Sequence, residues 1–141
     1  MMDQKVRNAI IGAVEKEPFA RALKVNLLEL ELGHSVVEMK YDPAIMNNIY
    51  DRAHGGALFA LIDEAFETAS QTDGTIAVAL NVNVTYVSSP EPGVKLRAEA
   101  KRVGQTKKTA SYDIKVSDEN NNLIATCSAL AYRTGKPIPF L

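Results

Sequence analysis

The sequence predicts an α+β domain in which a mainly antiparallel sheet is wrapped around one central helix. Two observations carry this expectation. Residues 55–71 combine good helix formers with apolar side chains around most of the circumference, the pattern of a helix buried on several sides. On either side of it, segments alternate apolar and polar residues in the two-residue rhythm of half-buried strands, two before the helix and four after.

From Asp3 to Glu17, Val6, Ala9, Ile10, Ala13 and Val14 recur at helical spacing, with Asp3 as N-cap and Pro18 as the stop. Phe19 to Leu23 adds a further turn, so residues 1–24 form a leading helical segment. Leu28, Leu30 and Leu32 then alternate with Glu29 and Glu31. Gly33-His34 is read as a hairpin turn, Ser35 to Tyr41 as the return strand, and Asp42-Pro43 as its end. A loop over 44–53 leads into the central helix.

After Thr72-Asp73-Gly74, strict alternation places Ile76, Val78, Leu80, Val82, Val84 and Tyr86 on one face of a long strand. Pro90 to Gly93 turns the chain, and strands are expected over Val94 to Val103, Lys107 to Val116 and Leu123 to Tyr132. Asp118 to Asn122 forms a polar hairpin turn, and 134–141 a short tail. One domain over residues 1–141 accounts for the whole pattern. The sheet leaves open edges, which predicts association with further copies of the chain.

The bulk chemistry excludes several function classes. A net charge of -1 gives no basic field for a nucleic acid or an anionic membrane. The apolar tracts are too short to span a bilayer. Cys127 is the sole cysteine, and the start lacks the order of a signal peptide, so a reducing, cytoplasmic setting is expected. His34 and His54 belong to no cluster with metal-ligand spacing, and no metal is expected. Cys127 sits among small strand residues and reads as buried rather than nucleophilic.

The stretch that carries chemistry is Asn48-Ile-Tyr-Asp-Arg-Ala-His54-Gly55-Gly56, followed by Asp63. The start of a helix offers unpaired N–H groups and a partial positive charge that can stabilise an oxyanion, and Gly55 and Gly56 let a ligand approach that backbone. Paired glycines also serve simply as a tight entry turn. Asp63, set among Phe59, Ala60 and Phe66, is expected to have a raised pKa. Glu64 points away around the helix and Glu67 lies one turn beyond; both are read as solvated or structural.

An Asn six positions before His-Gly-Gly, and an acid nine positions after that His, resemble the motif of the PaaI-like acyl-CoA thioesterases of the hotdog fold. The resemblance extends to the strand order over nearly the whole chain. It implies hydrolysis of a small, medium or aryl acyl-CoA, with Asp63 as general base or nucleophile, the Gly55 N–H polarising the carbonyl, Asn48 positioning water or thioester, and His54 orienting the loop or hydrogen-bonding near the carbonyl. Gly56 would contact substrate, as would Arg102, Gln105, Lys107 and Lys108 at a basic strand turn facing the nucleotide.

Coenzyme A would be part of the substrate, and no cofactor is implied. The alternatives within reach are a hotdog enoyl-CoA hydratase or dehydratase using His54 and Asp63, and a non-catalytic acyl-CoA binder. Where some relatives carry Ser or Thr near the reacting carbonyl, this chain has Ala79. Gly55 and Asp63 lie roughly 12 Å apart along one helix, too far to meet at one carbonyl. Two antiparallel helices related by a two-fold axis would bring them together from different subunits, so a homodimer is expected, and a homotetramer by the family's habit.

Overall fold

A computed structural model describes residues 1–141. The chain runs α1 (Gln4–Lys16), α2 (Pro18–Leu23), β1 (Asn26–Glu31), β2 (His34–Lys40), α3 (Pro43–Met46), α4 (Gly55–Ser70), β3 (Thr75–Tyr86), β4 (Lys95–Gln105), β5 (Thr109–Asp118) and β6 (Leu123–Pro137). All six strands form one sheet in the order β1-β2-β4-β5-β6-β3, with every neighbouring pair antiparallel. The sheet curves around α4, which is the hotdog arrangement that the resemblance implies.

Local chemistry explains the element ends. The Asp3 carboxylate accepts hydrogen bonds from the Lys5 and Val6 amides, so α1 starts where expected. Pro18 stops α1 and opens α2, in keeping with its fixed φ and missing N–H. The β1–β2 hairpin turns on Leu32-Gly33, with Gly33 at φ +69, and His34 already belongs to β2. Thr72 Oγ1 accepts from the Gly33 amide at 2.8 Å, tying this turn to the end of α4. Residues 43–46 of the expected loop form the short helix α3, opened by Pro43 and capped by Asp42.

Two β-bulges change the strand readings. In β1 the register shifts between Leu27 and Glu29, so Leu28 stays exposed while Leu30 is buried. In β3 it shifts between Ala79 and Asn81, with Leu80 as the extra residue. Ala79 stands opposite Ala131, and beyond the bulge Val82 and Val84 stand opposite Ala129 and Cys127, all three partners belonging to the core. Val78 faces Tyr132 on the other side and is exposed. The expected single face from Ile76 to Tyr86 therefore does not exist, because one inserted residue reverses every side chain after it.

The main core lies between α4 and the sheet, with Leu61, Ile62, Ala65 and Phe66 packed against Val37, Leu96, Ala98, Ala100, Tyr112 and Val116. Phe66 meets Tyr112 edge to face, ring centroids 5.4 Å apart. The buried hydroxyls of Ser35 and Thr68 bond at 2.7 Å. A second cluster gathers Met2, Val6, Ile10 and Val14 of the leading segment with Leu30 and Ile138. Residues 134–137 belong to β6 and Ile138 is buried, so the expected tail is structured to that point.

Arg133 on β6 closes the β3 end of the sheet through a 2.7 Å ion pair with Asp73. Burial alone would raise the Asp73 carboxyl, but hydrogen bonds from Arg133 and Thr75 hold it below the ordinary carboxylate range. A folded-state pKa below the unfolded one contributes stability above the unfolded value that is lost as pH falls through the folded value. Asp73→Asn is expected to cost about 1 kcal/mol at pH 7. Urea unfolding should show the cost vanishing once the pH lies below the depressed pKa of Asp73.

Candidate active site

The start of α4 is built from its own side chains. His54 occupies the N-cap with extended backbone, and its Nδ1 accepts a hydrogen bond from the Gly56 amide at 2.8 Å. The His54 carbonyl accepts from the Ala57 and Leu58 amides. The Gly55 N–H is left without an intrachain partner, while the Gly55 carbonyl accepts from Tyr86 Oη at 3.1 Å. One free donor therefore stands at the positive end of a 16-residue helix. A Cβ at Gly55 would lie 3.2 Å from Cζ and Oη of Tyr86, so glycine permits this close approach.

Asn48 lies beside this donor, both lining a cavity of about 400 Å³ together with Arg52, Leu58, Tyr86 and Ser88. Its side-chain oxygen accepts from the Tyr50 and Arg52 amides, at 2.9 and 3.2 Å. That fixes the amide rotamer and leaves its NH₂ free of intrachain acceptors. The loop between is held by the Asn47–Ala53 bridge and by His54 N–H donating to the Met46 carbonyl at 2.7 Å. The sequence reading did not single out Tyr86 or Arg52. A tyrosine at the end of an alternating strand carries no motif, and only the sheet's curvature brings it to Gly55.

Asp63 is two turns further along α4. Gly56, Phe59, Asp63 and Glu67 are its exposed residues, at helical spacing, and form one stripe between otherwise buried positions. The sheet thus covers most of α4 and leaves this stripe open. Asp63 takes part in no ion pair. Although the residue stands on the open stripe, partial desolvation of its carboxyl by the surrounding helix and neighbours raises its pKa, and the nearby Glu17 carboxylate adds to the rise. The expected direction is found. Its charged neighbour comes from the α1–α2 junction, a contact that helical spacing could not reveal.

Glu64 is not solvated, since it is 4% exposed and its Oε1 has no hydrogen-bond donor. Burial and the neighbouring Glu17 and Glu67 carboxyls push its pKa strongly upward. Glu67 shifts the same way, by burial and then by Glu17. Cys127 is buried in the core, and loss of solvent pushes its thiol up to about 11, which makes it a poor nucleophile. Ala79 lies on the side of β3 that faces α4, next to the bulge.

The basic candidates do not form one group. β4 reaches Gln105 and β5 begins at Thr109, so Arg102 and Gln105 are strand residues and only Thr106 to Lys108 turn the chain. Arg102 packs over Gly33, with Nε at 3.0 Å from where a glycine Cβ would stand. Lys107 and Lys108 are exposed. Gln105 aligns across the sheet with Ala110, Ala131 and Ala79, whereas Tyr86 aligns with Ala125. Six strand residues, roughly 20 Å, thus separate the basic turn from the Gly55 end within one chain.

The thioesterase superfamily model matches residues 50–125. A putative esterase of Archaeoglobus fulgidus is 38% identical over 117 residues, which span 83% of this chain and 75% of that protein. The acyl-coenzyme A thioesterase PaaI of Escherichia coli is 30% identical over 124 residues, 88% of each chain. The solved structure of E. coli PaaI, from the phenylacetic acid degradation operon, superposes with a TM-score of 0.91 over 98% of this chain and 99% of that one, at 28% identity. A Streptococcus mutans protein solved with bound acetyl-CoA gives 0.76, at 26% identity, over 81% and 91%.

The cap geometry separates a structural from a chemical role for His54. Replacing it with Ala removes the acceptor for the Gly56 amide and is expected to cost about 1 kcal/mol. Asn at this position caps equally well and should restore the stability in urea titrations.

Proposed function

The chain belongs to the thioesterase superfamily, and on that premise we propose that it hydrolyses acyl-CoA thioesters at sites shared between two copies. The observation that carries the reading is the unpartnered Gly55 N–H at the start of α4, with Asn48 fixed beside it. The acyl-CoA substrate class is supported by the likeness to the PaaI thioesterase and to the acetyl-CoA complex.

The sharing follows from distance and exposure. Asp63 lies roughly 12 Å along the same helix from Gly55, so one carbonyl cannot touch both. The exposed stripe through Phe59 and Asp63 offers a face on which a second α4 can pack antiparallel, setting Asp63 of one copy against Gly55 of the other. β3 supports the same axis, as a 12-residue edge strand with Val78 and Leu80 exposed. Antiparallel pairing of two such edges would carry the second copy's Lys107 and Lys108 to the Gly55 end of the first. There they could meet the phosphates of coenzyme A.

In this arrangement the thioester carbonyl accepts from the Gly55 N–H, where the helix terminus stabilises the developing oxyanion. The Asn48 NH₂ positions the attacking water. Asp63 of the second copy, its basicity raised by desolvation, takes a proton from that water as the oxygen bonds to the carbonyl carbon. Collapse of the oxyanion breaks the C–S bond, and the proton held by Asp63 passes to the departing sulfur, which releases coenzyme A and the free acid and restores the base. His54, its Nδ1 occupied by the Gly56 amide, orients the helix start rather than reacting. Phe59, exposed one turn before Asp63, lies where it could pack against a medium or aryl acyl group.

Turnover of a panel of acyl-CoAs, followed with a thiol reagent, tests the chemistry. Asp63→Asn is expected to lower kcat at least ~100-fold with little change in KM; full turnover in this variant would sink the assignment. Sharing is tested by refolding Asp63→Asn together with Asn48→Ala. Half of the random dimers then carry one intact site of two, so about a quarter of wild-type activity should return. No recovery would mean that each chain builds its own site.

A further inference from the structure

A group of side chains where the open stripe of α4 ends at Glu67 takes no part in this hydrolysis. Glu17 comes from the junction of α1 and α2, Glu64 and Glu67 from α4, and one oxygen of each lies within 4.8 Å of the others. Glu64 is 96% buried, with Oε1 lacking any donor. None of the three joins an ion pair. Carboxylates only accept hydrogen bonds, so three ionised ones cannot satisfy each other and repel at this spacing. Either shared protons or a cation must sit among them.

Local structure brings the donors together. Pro18 restricts Glu17 to extended backbone, at φ -70 and ψ 116. Glu17 stands at the N-cap of α2 yet makes no side-chain capping bond, and its carboxylate meets α4 instead. Glu64 and Glu67, three apart, are neighbours on the helix surface. Three oxygens each roughly 2.4 Å from a calcium ion stand about 4.2 Å apart when spread evenly around it, so oxygens within 4.8 Å of one another need move by only a few tenths of an ångström to share one ion. A cavity of about 280 Å³, lined by Glu17 and Glu67, adjoins them and leaves room for water ligands.

We propose that Glu17, Glu64 and Glu67 hold a divalent cation, with water completing its coordination. Three carboxylates without histidine or cysteine select a hard, oxygen-preferring ion, calcium or manganese, over zinc. This departs from the sequence expectation of no metal, which considered only histidine and cysteine spacing. On binding, the ion displaces the protons that the crowded carboxyls otherwise retain, offsets two of the three carboxylate charges and fastens the α1–α2 junction to α4, one helical turn from Asp63. The inference does not depend on the hydrolytic reading.

The test uses the full chain, stripped with chelator and dialysed, then titrated at neutral pH with CaCl₂, MnCl₂ and MgCl₂. Calorimetry and manganese electron paramagnetic resonance should show one ion per chain, with a saturable rise in Tm. Glu17→Gln and Glu67→Gln, each isosteric, should weaken binding at least tenfold, and both should lose the rise in Tm while remaining folded without cation. Asp63→Asn should bind as wild type does. A wild-type Tm indifferent to all three cations would overturn the proposal and leave protons as the shared electrophile. So would unchanged affinity in both glutamine variants.

Discussion

The organisation of the molecule depends on the need to bury α4. A helix that is apolar around most of its circumference cannot stand on a flat sheet, because one face would cover only part of it. Curvature of six antiparallel strands solves most of the problem, and Leu61, Ile62, Ala65 and Phe66 pack against side chains of β2, β4 and β5. What remains open is a single stripe, and that stripe carries Asp63. The same packing that hides the helix also determines which of its side chains can face another molecule.

The ends of α4 are tied separately. At its C-terminal end, Thr68 and Thr72 anchor β2 and the first hairpin through buried hydroxyl bonds. At its N-terminal end, His54 caps one amide and Tyr86 holds the Gly55 carbonyl, but the Gly55 N–H is left unsatisfied. An unpaired donor at a well-fixed terminus is pre-aimed, so little reorganisation is required when negative charge develops nearby. Fixing Asn48 through its oxygen follows the same logic, because rigidity in the loop leaves the amide donors in a defined direction.

The six strands, their order and the central helix were legible in periodicity, since burial of alternate or every third and fourth residue leaves a direct trace in sequence, whereas the four-residue α3 is too short to leave one. The motif from Asn48 to Asp63 was legible too, through spacing alone. Bulges were not. A single extra residue at Leu28 or Leu80 changes the register without any compositional signal, and it reversed the face assigned to Ile76 and Val78. The burial of Glu64 was not legible for a related reason: its position around the helix left both a solvated and a structural role open, whereas the Glu17 junction meets it on that side. Contacts between residues 17 and 64 arise from tertiary packing that local pattern does not encode.

The small second cluster has a consequence for how the chain is made. Met2, Val6, Ile10 and Val14 are buried with Ile138, whose amide donates to the Gly74 carbonyl at 3.0 Å. During synthesis the first helix emerges more than a hundred residues before its last packing partner. Helix α1 must therefore wait, amphipathic and half covered, while the rest of the sheet assembles. The residue just past the final strand completes this cluster, so the packing of the earliest residues is whole only once the last ones are in place.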